Sequence, residues 1–166
     1  MTNEEDSWQP VRFHVHLGAL VRRGDEILIM KRAAGAVSGA WYFPGGGLEE
    51  DESPEDGIRR EIREEAGLEV DNLRLFRVWH TRQPDGTPAL ALTYTCDVPA
   101  GAEPQLNFEH SEHRWIAARD YRDQFVSDDV LALVADNPGL NTLVTGIRDT
   151  LDAYLTAGGQ ALVGHA

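Results

Sequence analysis

Aliphatic and β-branched residues gather first in VRFHVHLGALVRR (Val11 to Arg23) and EILIMKR (Glu26 to Arg32), on either side of Gly24-Asp25, a pattern that predicts a β-hairpin. The short apolar run Trp41 to Phe43 predicts a strand that stops at Pro44, because Gly45, Gly46 and Gly47 beside a proline are expected to support neither helix nor strand. Past an acidic connector, Ser53 and Pro54 have the character of an N-cap and a first helical residue, with Asp56 at the capping-box position. That helix should run to about Ala66 and break at Gly67. EVDNLRLFRVWHT (Glu69 to Thr81) and ALALTYTCDV (Ala89 to Val98) read as strands around a turn at Pro84 to Gly86, and HRWIA (His113 to Ala117) as a third. From about Tyr121 the period turns helical: SDDVLALVAD opens on a Ser127 cap, and LNTLVTGIRDTLDAYL carries apolar residues at helical spacing. Strands and helices mix without repeat or linker, so residues 11–157 read as one α/β domain between an N-terminal tail, 1–10, and a C-terminal tail, 158–166.

Composition narrows the function. The 166 residues, 42% hydrophobic and 26% charged, are ordinary for a soluble globular domain, and no apolar run reaches membrane-spanning length. The N-terminus lacks the basic start and apolar stretch of a secretory signal, and a sole cysteine, Cys96, makes no internal disulfide, so a cytoplasmic location is expected. A formal charge of −13 argues against a nucleic-acid backbone or an anionic membrane surface as partner. It leaves room for a small phosphorylated ligand that arrives with a divalent cation. Lys31 is the only lysine; the arginine excess reads as codon bias rather than as a phosphate-binding surface.

The helix that follows the glycines raises a question of charge. Glu61, Glu64 and Glu65 lie at i, i+3 and i+4, where each like-charge pair costs roughly 0.2–0.5 kcal/mol in an isolated helix. Ile58 and Ile62 define the buried stripe, Glu65 lies beside it, and Glu61 and Glu64 continue along the same flank. Arg59, Arg60 and Arg63 fall on the other side, and only Arg60 is spaced to reach Glu64. Glu65, at the core edge, is expensive to bury unpaired. A hard divalent cation with oxygen ligands answers the question, and adjacent glycines let the main chain approach an ion or a phosphate. Periodicity alone favours a solvated, charge-rich helix instead.

The complete spacing shifts that balance. From Gly46 the chain runs Gly46, five residues, Glu52, seven residues, Arg60-Glu61-Ile62, one residue, Glu64-Glu65, one residue, Gly67-Leu68. This resembles the Nudix box at every defined position, and the chain is similar to the MutT-like Nudix hydrolases. Phe43, Pro44-Gly45, the basic pair Lys31-Arg32 and the downstream EHSEHRW extend the resemblance over Val11 to Ile116, while the C-terminal helices fit it only loosely. Asp51 and Gly57 depart from the usual glycine and small alanine at undefined box positions.

The resemblance implies an α/β/α fold, a mixed sheet sandwiched between helices. It also implies Mg²⁺, or Mn²⁺, as cofactor, and water attack on a diphosphate linkage in a nucleoside diphosphate joined to a group X. Glu64 and Glu65, with the Gly45 carbonyl, are the implied metal ligands, Glu52 supports the metal shell, and Glu61 binds metal or acts as base. Arg60 orients the glutamates. Glu109 is the implied later-loop ligand or base, ahead of Glu112. Arg32 matches a phosphate-contacting arginine, Gly46 offers main chain to substrate, and Phe43, with Trp41, either flanks a base or belongs to the core. His14 and His16 share a strand face but lack a third ligand for zinc, and His80, His110 and His113 carry no assignment.

The expected partner is a small-molecule nucleotide, first a nucleoside triphosphate or an oxidised nucleotide. The second reading is ADP-ribose or a nucleotide sugar, for which Pro84 stands at a suggestive distance but inside an evident turn. A non-catalytic Nudix sensing module is disfavoured because no box glutamate is missing. A homodimer is compatible with the sequence, which does not specify the assembly.

Overall fold

The computed structural model describes residues 10–34, 38–83 and 85–159, so most of both expected tails and Pro84 lie outside the described residues. β1 (His14–Arg23) and β2 (Glu26–Arg32) form the expected hairpin about Gly24. They pair only at the turn, Arg22 with Ile27 and Arg23 with Glu26. Beyond it the two strands part and recruit different neighbours. β1 runs parallel to β6 (Pro88–Asp97), from His14 beside Ala89 to Arg22 beside Asp97. β5 (Asp71–Arg82) then pairs antiparallel with β6. β2 pairs antiparallel with β3 (Trp41–Tyr42) and with β7 (His110–Ala117).

The place beside β1 that β2 vacates is filled by the triple glycine. β4 (Gly45–Gly47) pairs antiparallel with β1, with Gly45, Gly46 and Gly47 facing Gly18, Leu17 and His16. This corrects the expectation that these glycines form no strand. Their weak intrinsic preference is overridden by main-chain pairing to β1, and a Cβ at Gly45 would overlap the Leu17 carbonyl oxygen. Strand ends shift for the same reason. β1 begins at His14 rather than Val11 because β6 offers no partner before Pro88, which leaves Val11 and Phe13 exposed. β7 begins at His110, three residues earlier than expected, because Arg32 and Lys31 pair with His110 and Glu112.

Alternation along the strands builds two cores, one on each face. Leu17, Ala19 and Val21 join Leu28, Met30, Tyr94 and Cys96 against Ile58, Ile62 and Ala66 of α1 (Pro54–Ala66). Leu20, Ile27, Ile29 and Phe76 face the other way. They meet Tyr121 of α2 (Ala118–Phe125), partly buried residues of α3 (Asp128–Leu133), and Val144, Ile147, Leu151 and Tyr154 of α4 (Pro138–Thr156). The result is the expected mixed sheet between helices. No helix among the described residues is long and apolar enough to cross a membrane.

The caps of α1 match the sequence. Ser53 Oγ accepts the Asp56 N–H at 3.1 Å and donates its own proton to the Asp56 carboxylate at 2.8 Å. Gly67 adopts φ 64° and donates its N–H to the Arg63 carbonyl at 2.9 Å. At the other end of the chain, Gly146 of α4 lies against the Trp79 ring of β5, where an added Cβ would overlap the indole. Ala normally gains about 1 kcal/mol over Gly within a helix. Gly146→Ala is therefore expected to reverse that sign and destabilise by about 1–3 kcal/mol, as overpacking does. Urea unfolding checks it, and a gain in stability would contradict the packing described.

Candidate functional site

α1 packs on the face of β1 and presents its acidic flank to the glycine strand beside it. Gly46 faces Glu61 so closely that a Cβ there would overlap the carboxylate. Arg60 organises the outer part of the cluster. Its Nε and NH2 donate to the two oxygens of Glu52 at 3.0 and 2.7 Å. NH1 donates to Glu61 at 2.9 Å and to Glu64 at 3.2 Å, and NH2 reaches the Gly47 carbonyl at 3.1 Å. The spacing argument foresaw only the Glu64 contact. The forked pair with Arg60 holds the Glu52 carboxyl down at about 2 and raises the Arg60 pKa further. As expected, the other arginines point away: Arg59 donates to the Val70 carbonyl at 2.7 Å, and Arg63 to Glu69 at 2.6 Å.

Glu65 is the inner acid. It is only 3% exposed, its Oε2 accepts the Gly45 N–H at 2.8 Å, and its Oε1 lies 3.9 Å from both Arg32 NH1 and His110 Nε2. Burial, reinforced by the charges of Glu61 and Glu109, pushes its pKa up to about 8 against the pull of Gly45 and Arg32. Burial likewise raises Glu61, with Arg60 opposing and the charges of Glu64 and Glu109 adding. Burial and the charge of Arg32 shift His110 down, with Glu109 opposing. Arg32 NH1 donates to Glu109 at 3.1 Å, while its buried Nε has no partner among the described residues. Glu109 is carried here by its own main chain, whose carbonyl accepts the Ala33 N–H at 2.8 Å.

Seven of the expected site residues, Gly45, Gly46, Glu52, Arg60, Glu61, Glu64 and Glu65, are thus gathered around β4 and α1, and Arg32 and Glu109 join them from β2 and the loop before β7. The Gly45 N–H points toward Glu65. Glu112 pairs with Lys31 at 2.6 Å, away from this group. Phe43 packs against Tyr121, 5.3 Å between ring centroids, and also borders the adjoining cleft. Trp41 instead packs on Phe125 and beneath Arg114, as a core aromatic.

The donor set is all oxygen and carries more negative than positive charge, which fits a hard divalent cation. Buried Glu65, with a single N–H partner and acidic neighbours, is the observation that supports that fit. Among the described residues no three acidic, histidine or cysteine side chains converge as they stand on one ion position. Arg60 instead engages Glu52, Glu61 and Glu64. Glu64, at 57% side-chain exposure, is free to swing from it.

A cleft of about 470 Å³ opens from this group. Arg32, Glu65, Gly45 and His110 line its charged end, and Trp79, Ala91, Leu143 and Ile147 its apolar end. Thr81, Gln83 and Thr93 add polar atoms. None of these last seven was foreseen. The β5 and β6 residues read only as strand, and α4 carried no signal beyond helical period.

Known proteins resemble the chain in the same terms. The NUDIX domain family pattern matches residues 12–134, ending before α4. A MutT-like protein of Streptomyces ambofaciens is 31% identical over 117 residues, 70% of this chain and 71% of that protein. The nucleoside triphosphatase NudI of Klebsiella pneumoniae is 32% identical over 117 residues, 63% of this chain and 82% of that one. A NUDIX hydrolase structure from Nitrosomonas europaea, 18% identical, shares the fold with a TM-score of 0.66 over 93% of this chain and 98% of its own. A box helix with every defined residue present, set against a glycine strand in that fold and matched across most of its length, makes this chain a member of the NUDIX family and a Nudix hydrolase.

Proposed function

We propose that this chain is a Mg²⁺-dependent pyrophosphohydrolase of the cytoplasm, with Mn²⁺ as an alternative ion. Its substrate is a nucleoside triphosphate, normal or oxidised, cleaved at a diphosphate linkage. The observation that carries the reading is the buried Glu65 carboxylate, held on the Gly45 N–H beside Arg32 at the charged end of a cleft whose far end is apolar. The nucleoside triphosphatase among the relatives supports the choice of substrate. The ADP-ribose reading leans on Pro84, which lies outside the described residues.

Glu64 and Glu65, with the Gly45 carbonyl and Glu109, would hold the ion, and Glu52 would support them. A bound divalent ion supplies charge neutralisation for phosphate oxygens and a lowered pKa for water. The chain's own residues do the rest. Arg60 clamps Glu52 to α1 and orients Glu61 and Glu64, so the acids approach the substrate from fixed positions. Arg32, which borders the cleft with its side chain partly exposed, offers a cation to a phosphate oxygen. Glu61 accepts the water's proton, because burial raises its affinity for one while leaving it beside the glycine main chain. Phe43 and Gly46 form the wall along which the substrate lies.

Three outcomes are expected. Glu64→Gln lowers turnover by about a hundredfold or more while circular dichroism and melting temperature stay near wild type; wild-type turnover would sink the assignment. In pH–rate profiles Glu61→Gln loses the acid limb and Glu109→Gln keeps it, and the reverse would transfer the base role to Glu109. The third concerns metal-free protein. Glu65 has its folded pKa raised from 4.5 to about 8, so its contribution to stability is complete below about 4.5 and is lost as pH rises through about 8. Glu65→Gln keeps an acceptor for Gly45 and is expected to flatten that decline in melting temperature between these pH values. It should also abolish the rise that Mg²⁺ gives the wild type; an unchanged Mg²⁺ response would remove Glu65 from the ligands.

A further inference from the structure

We infer that Asn107 is a positioning residue for Glu109: its side-chain oxygen fixes the turn 107–110 against the C-terminus of α1 and so sets where Glu109 stands relative to Glu65. The inference rests on the reading of Glu109 as an ion ligand given above and deepens it. The last carbonyls of a helix have no partner within it and take one from outside. In α1 the segment before β7 supplies two. Gln105 donates its N–H to the Ala66 carbonyl at 2.8 Å, and Asn107 donates its own to the Glu65 carbonyl at 3.2 Å. The chain that carries Glu109 is thereby docked on the main chain of the inner acid itself.

From that anchor the Asn107 side chain shapes the turn. Its Oδ1 accepts the Glu109 N–H at 3.0 Å and lies 3.3 Å from His110 Nδ1, while its carbonyl accepts the His110 N–H at 3.3 Å. A side-chain oxygen that takes the N–H two residues on closes an Asx turn, which holds the main chain in place of a ladder or a helix. The Nδ1 contact also directs the other ring nitrogen of His110, Nε2, toward Glu65 Oε1. Apolar packing adds little to the turn, since Phe108, at its tip, is 90% exposed. On the far side Glu109 is met by β2 and the residue after it: its carboxylate accepts from Arg32 NH1 at 3.1 Å and its carbonyl from the Ala33 N–H at 2.8 Å. Asn107 bonds the main chain of Glu109 and leaves the carboxylate to the ion, so it acts through Glu109. Outer partners that orient a ligand in this way typically govern metal affinity by about tenfold to a hundredfold.

Titration of the full chain with Mn²⁺ alone, read from the electron spin resonance of the free ion, tests this without substrate or turnover. Asn107→Ala is expected to weaken Mn²⁺ binding by about tenfold or more. Asn107→Asp keeps the oxygen that both donors use and should bind the ion no more weakly than wild type. The deciding comparison is a double-mutant cycle with Glu109→Gln. If Asn107 acts through Glu109, Asn107→Ala made in the Glu109→Gln background should cost less than about threefold further. Should Asn107→Ala not fold, Asn107→Gln, which carries the same amide one methylene further out, takes its place in the cycle with the same expected loss. Wild-type affinity in Asn107→Ala, an Asn107→Asp as weak as the alanine variant, or two losses that multiply in the double mutant would overturn the inference and leave Glu109 a ligand. Wild-type affinity in Glu109→Gln would instead remove Glu109 from the ligands, and the inference with it.

Discussion

A strand of three glycines touches both β1 and α1, and the site depends on that contact. With no side chains, β4 pairs with β1 on one side and lets the Glu61 carboxylate rest on Gly46 on the other. The same closeness allows the Gly45 N–H to donate to Glu65, so that a carboxylate at the core edge is held rather than merely trapped. A side chain at position 45 would collide with the β1 main chain at Leu17 and Gly18, and one at position 46 would displace the Glu61 carboxylate. Ile58, Ile62 and Ala66 anchor the helix from its apolar side, so the acidic flank is aimed by the same packing that builds the first core.

Two arginines divide the acidic charge between them. Arg60 holds the outer acids, Glu52, Glu61 and Glu64, and Arg32 lies near the inner ones, Glu65 and Glu109. The division is unequal. Glu52 is firmly ionised by a forked pair, whereas Glu65 is pushed toward its neutral form by burial and by acidic neighbours. The inner acids therefore carry unspent affinity for a positive charge, while the outer ones supply rigidity. So strong an upward shift on a buried carboxylate marks a functional-site candidate rather than a surface ion-pair network.

The cleft joins the two cores of the molecule. Its charged end belongs to the α1 side and the glycine strand, and its apolar end is closed by α4, which packs on the opposite face through Val144, Ile147 and Leu151. Trp79 links the two, since its ring faces the cleft and also seats Gly146. Helix packing on one face thus sets the shape of a pocket whose chemistry is set by the other.

What the sequence by itself determined is what acts over a few residues. The caps of α1, the placing of Glu61, Glu64 and Glu65 on one flank beside Ile58 and Ile62, and the box spacing were legible because helical period and capping are local. The strand character of Gly45 to Gly47 was not legible, because its cause is a partner some thirty residues earlier in the chain. Nor was the approach of Arg32 to Glu109, 77 residues apart, or the full reach of Arg60 to Glu52 and Gly47. The cleft residues Thr81, Trp79 and Leu143 left no trace in the pattern either. They meet only because β5, β6 and α4 are brought together by sheet register and by packing on the second core, and such long-range pairings are decided by the whole chain at once.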